Sequence, residues 1–111
     1  MRITSNERPQ EVVLGRHLGQ PQRTINFNIS EETLDDFPQY TYNSVTLPPG
    51  TWTYEAIVSA LVNEIYPYDR MSAIQNNLAD EPDNPQVIIE HDQMQAWRRT
   101  AKAMAKRLLA E

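Results

Sequence analysis

The sequence predicts an α+β fold: a small antiparallel N-terminal sheet of two to three strands, followed by three helices, the last long and amphipathic. Three observations carry this. Two stretches rich in β-formers, 24–30 and 40–47, sit close together in the first half of the chain. After Gly50 the apolar residues switch to helical spacing. After Pro85 there is neither glycine nor proline, and Val87, Glu90, Met94, Trp97, Ala101, Met104 and Leu108 recur at alternating steps of three and four. Strands segregated from helices in this way define α+β rather than alternating α/β architecture.

The elements follow in order. Residues 1–10 read as a flexible leader. Glu11–Gly15 reads as a short strand, with a turn at Gly19-Gln20-Pro21. In Thr24–Ser30, Ile25, Phe27 and Ile29 alternate with polar residues, the pattern of a half-buried strand. The acidic stretch Glu31–Gln39 reads as a loop, with Ser30 suited to cap one helical turn. Tyr40–Leu47 is the second strong strand, stopped by Pro48-Pro49-Gly50. A short connection between these two strands favours antiparallel pairing, because a parallel partner needs a longer crossover. Thr53 then caps a helix from Tyr54 to about Ile65, ended by Pro67. Asp69 is expected to cap the next helix, with Met71, Ala73, Ile74 and Leu78 on its apolar side. The linker Asp80–Pro85 follows, with Asn84 as N-cap and Pro85 at the first position of the third helix. At 111 residues the chain reads as one domain over 1–111, strand-rich at 11–50 and helical at 51–111.

Composition narrows the chemistry. The chain has no cysteine, which excludes disulfides, thiol nucleophiles and cysteine-based zinc sites. No apolar run approaches the ~20 residues of a membrane span, and the first residues lack the apolar core of a secretory signal. These features point to a cytoplasmic protein without membrane contact. Charge is uneven: residues 1–97 hold five basic and fourteen acidic side chains, whereas 98–111 hold five basic and one acidic, within a formal net charge of −5. The acidic body argues against general nucleic-acid binding, since phosphate contacts need a basic face. The basic end leaves that reading open as the alternative function, and it also suits the negative end of a helix macrodipole.

Few constellations resemble catalysis. Glu90-His91-Asp92, with His17 far upstream, is the one cluster suggestive of metal or acid–base chemistry. Consecutive helical residues diverge by about 100°, so these three do not converge on one ion. No serine stands in a G-x-S-x-G elbow, and three glycines in all leave no phosphate-cradling loop. The sequence therefore offers no catalytic, metal or cofactor-binding residues, and the expected cofactor complement is none. Tyr40, Tyr42, Trp52, Tyr54, Tyr66 and Tyr68 read as half-buried aromatics near the change from strands to helices.

The stripe of the last helix is the feature with functional content. Met94, Trp97, Ala101 and Met104 suit either of two roles. The commoner is to cover the protein's own core. The other is a partner groove or self-association seam, for which Met offers adaptable packing and Trp an anchor. Arg98, Lys102 and Lys106, spaced by four, line one side of the same helix. These seven residues form the candidate interaction surface.

The segment Tyr66–Leu78 has the form Y-x-x-D-x-M-x-A-I-x-N-N-x-L, and Glu90 with Met94–Lys102 adds M-Q-x-W-R-x-x-A-K. Together they resemble small uncharacterised proteins encoded in phages and prophages, over about the last 45 residues. The resemblance implies a mobile-element setting, such as a virion or tail accessory, and transfers no site residue. The expected function is that of a non-catalytic interaction or assembly protein acting through its C-terminal helix. The expected partner is another protein or a second copy.

Overall fold

The computed structural model describes residues 1–110, except the side chain of His17. They form two compact units, Met1–Trp52 and a helical unit from Thr53 onward. The division falls where the sequence changes character after Gly50.

The first unit is a four-stranded antiparallel sheet in the order β1-β4-β3-β2. Its strands are β1 (Arg2–Ser5), β2 (Val12–His17), β3 (Gln20–Leu34) and β4 (Phe37–Leu47). Ile25 and Phe27 on β3 and Leu47 on β4 are its buried apolar residues. The register sets Ile25 opposite Val45 and Phe27 opposite Asn43, so these share one face. Its two buried amides are both satisfied. Asn26 Nδ2 donates to the Gln10 carbonyl at 2.8 Å, and Arg2 donates to Asn43 Oδ1 at 3.0 Å.

Three expectations need correction here. The sheet has four strands, not two or three. Residues 1–10 are not simply a leader: Arg2–Ser5 pairs along β4, and the Ser44 N–H donates to the Met1 carbonyl at 2.8 Å. The backbone donors and acceptors of β4 are thereby met, which outweighs the weak apolar content of this strand. The acidic stretch Glu31–Gln39 is not a loop with a helical turn. It continues both strands to a two-residue turn at Asp35-Asp36, with φ of 49° and 67°. Two consecutive left-handed residues give the primed turn whose twist matches a hairpin, and Asp tolerates that region better than most side chains. Leu18-Gly19 makes the equivalent turn between β2 and β3, with φ of 51° and 79°. The long β3 carries one irregularity, a bulge between Phe27 and Ser30 where Asn28 has φ 53°.

The helical unit comprises α1 (Tyr54–Ile65), α2 (Tyr68–Asp80) and α3 (Pro85–Ala110). Thr53 caps α1 as expected, its hydroxyl accepting from the Ala56 N–H at 3.3 Å. Asn84 and Pro85 begin α3 as expected, with Asn84 Oδ1 accepting from the Gln86 N–H at 3.0 Å. Asp69 is not the cap of α2: Pro67 holds that position and Asp69 lies in the first turn, where its charge still complements the dipole. α3 packs against both α1 and α2. One buried cluster joins Tyr66, Ile74 and Met94, with Ile65, Met71 and Trp97 packed around them. No helix among the described residues is long and apolar enough to cross a membrane.

Candidate functional site

The residues buried along α3 show what the stripe does. Val87, Met94, Ala101 and Leu108 recur at steps of seven, and all are buried, together with Ala105. A seven-residue column keeps one seam of the helix facing its neighbours. Alanine at 101 and 105, both with no exposed surface, leaves room for a close helix approach. Glu90 is the odd member of the stripe and is exposed. An unpaired carboxylate in this apolar seam would lose its hydration without compensation.

This divides the candidate interaction surface. Met94 and Ala101 are fully enclosed within the protein and present nothing to a partner. Trp97 and Met104 are half-buried. The Trp97 indole N–H donates to the Leu61 carbonyl at 3.0 Å, tying α3 to α1. Lys102 and Lys106 are the exposed members, and Arg98 is half-buried like Trp97 and Met104.

Arg98 and Lys102 stand at the edge of an open groove of about 330 Å³ formed by all three helices. Val58 and Val62 of α1 and Met71 of α2 give it an apolar lining, and Tyr68 at the start of α2 flanks it. The sharp corner between α1 and α2 creates the groove. Pro67 cannot continue α1, and the Tyr66 N–H closes that helix onto the Val62 carbonyl at 2.7 Å. Arg70 reinforces the corner. Its guanidinium donates to the Ile65 carbonyl at 2.9 Å and lies 4.6 Å from the Tyr66 ring centre. A cation at this helix end also meets the negative end of its dipole.

Neither Arg98 nor Lys102 has an ion pair or hydrogen bond among the described residues. They lie one turn apart, about 6 Å along the helix axis. Two uncompensated cations beside an apolar floor define what the groove can accept: apolar side chains accompanied by carboxylates. Lys106 lies a turn beyond and does not line it.

The other sequence-level candidates do not assemble. Glu90 and Asp92 are exposed, and His91 Nδ1 lies 3.8 Å from Asp92 Oδ1. Nε2 of His91 is 3.4 Å from the Gln95 amide nitrogen. The His17 side chain lies outside the described residues. No group of three His, Cys, Asp or Glu side chains among the described residues is placed to hold a metal ion. The aromatics take separate roles. Tyr66 is core, Tyr68 is 76% exposed, and Trp52 lies under the Arg23 guanidinium at 4.6 Å in a small cleft of the sheet unit.

The groove floor is not legible in the stripe of α3. Val58 and Val62 lie one turn apart on α1 beside Ile57 and Leu61, Val58 half-buried and Val62 buried with them. That spacing was visible, but its partner surface on α2 exists only once the Pro67 corner is formed. No family model, curated protein or solved structure matches this chain.

Proposed function

We propose that this is a non-catalytic interaction or assembly protein whose working surface is the groove of the helical unit, rather than the apolar stripe of α3. One observation carries the reading: Arg98 and Lys102 stand without counter-ions beside the apolar surface of Val58, Val62 and Met71. Two unpaired cations beside an apolar lining contribute little to folding and much to recognition. The stripe itself is occupied by core packing. The phage or prophage setting suggested by residues 66–102 belongs to this proposal and fits a small accessory of a virion or tail.

The test is a photo-crosslinking residue at Gln75, which lines the groove, with a second at Arg99, which does not. The expected result is a protein adduct from position 75 that is absent with Arg98→Glu plus Lys102→Glu. Equal cross-linking from both positions, unaffected by those changes, would sink the reading.

A further inference from the structure

We infer that the groove is filled by the β3–β4 hairpin tip of a second copy of this chain, giving head-to-tail self-association. The inference rests on the interaction reading above and names the occupant of that same groove.

The occupant is drawn from an unusual arm. β2 covers β3 only as far as Ile25, and β1 covers β4 only from Tyr40. Residues 32–34 and 37–39 therefore pair only with each other, in a ribbon of two strands. Such ribbons are marginal in water unless something packs on them. Yet this one ends in an apolar pair. Leu34 is 51% exposed and Phe37 is 71% exposed, and they are register partners across the turn. Register partners point to the same face. Glu32, two residues before Leu34, shares that face, and Asp35 and Asp36 form the turn beyond it.

Neither Glu32, Asp35 nor Asp36 has an ion pair or hydrogen bond through its side chain among the described residues. The tip is thus an apolar pair framed by unpaired carboxylates. The groove is an apolar floor beside two unpaired cations. Each surface lacks what the other carries.

Dimensions agree. Glu32 and the turn carboxylates are roughly 7–10 Å apart along an extended strand. Arg98 and Lys102 are about 6 Å apart at the backbone, on long side chains that spread further. A groove of about 330 Å³ suits two apolar side chains at the end of a ribbon better than a long peptide. The donor and acceptor patches are different, so the contact is heterologous and generates rings or open chains rather than a closed two-fold dimer. A tip contact is far smaller than a standard stable interface of about 1,600 Å². The association is therefore concentration-dependent and dissociates on dilution.

Sedimentation velocity on the whole chain tests this with two sets of variants. The tip variant is Leu34→Ser with Phe37→Ser, and the groove variant is Arg98→Glu with Lys102→Glu. Wild type is expected to gain mass with concentration, and each variant alone is expected to stay monomeric. Mixed, each variant retains one intact surface, so the pair forms a discrete heterodimer that cannot extend. Formation of that heterodimer also establishes that both variants are folded. A third variant combines the groove changes with Glu32→Lys and Asp35→Lys, and its association is expected to recover. Wild type that remains monomeric throughout, or a tip variant that associates like wild type, overturns the self-docking. If wild type is monomeric while Gln75 still cross-links another protein through Arg98 and Lys102, self-docking falls and the groove reading stands. If that cross-link is missing too, both fall.

Discussion

Leu18 occupies the first central position of a primed turn at φ 51°, where its side chain is 89% exposed. A branched apolar side chain gains nothing in water and strains a left-handed backbone, whereas Asn followed by Gly is the preferred pair for this turn. Leu18→Asn is expected to raise stability by about 0.5–1 kcal/mol, read as an increase in the midpoint of thermal unfolding. Trp97 illustrates the opposite case, a residue whose polar and apolar parts are both engaged. Trp97→Phe keeps much of the packing but loses the N–H bond to Leu61 and should cost about 1 kcal/mol. Trp97→Ala also leaves a cavity and should cost about 3 kcal/mol. Chemical denaturation of the two variants separates these contributions. Equal losses would mean that the indole hydrogen bond outweighs ring packing.

Among the elements, α3 depends on small residues as much as on large ones. Ala101 and Ala105 are fully buried where α3 meets its neighbours. Ala101→Leu should destabilise by about 1–3 kcal/mol through overpacking, although it raises helix hydrophobicity. A thermal shift that is neutral or positive would contradict the close approach. This seam also shows what the sequence made legible. The caps at Thr53 and Asn84 could be read directly, because a hydroxyl or amide at a helix start has a local role. Ala105 could not, because alanine inside a basic run signals neither core nor surface until a helix lies against it. Glu90 falls in the stripe on spacing alone, although its charge opposes burial. The acidic arm reads as a loop in the sequence because residues 30–38 show no alternation of apolar and polar side chains, and in the fold all of them are exposed. Its strand character comes from backbone pairing, which leaves no apolar imprint. β1 leaves no imprint in the sequence for the same reason, having only four residues at a sheet edge.

Across the whole molecule, formal charge is −5, but the last fourteen residues hold half of all the lysine and arginine. The groove cations belong to this basic end, and the arm carboxylates belong to the acidic remainder. Only the combination of the two compact units places both halves of the proposed contact in one chain. Charges exposed at such a contact are screened over a Debye length of about 10 Å at 0.1 M salt. Added salt should therefore weaken self-association measured by sedimentation, while the thermal midpoint of the tip variant changes little. Association that strengthens with salt would point to apolar contact alone.

The single extra residue at the β3 bulge has a consequence for what the arm displays. Upstream of Asn28 the odd-numbered residues of β3, including Ile25 and Phe27, face the Asn43–Val45 side of β4; downstream the even-numbered ones do, including Glu32 and Leu34. The bulge is a parity switch, and the identity of the arm's two faces is written in it. Deleting Asn28 would set Ile29 opposite Tyr42 and restore a regular ladder, and Ser30–Leu34 would keep their register against Phe37–Thr41. A variant of almost unchanged composition and strand content by circular dichroism should then keep its self-association in sedimentation velocity, because Leu34 and Phe37 stay paired on the face that carries Glu32. One backbone irregularity thus decides whether the even-numbered or the odd-numbered residues of β3 stand on the face of the ribbon that another molecule meets.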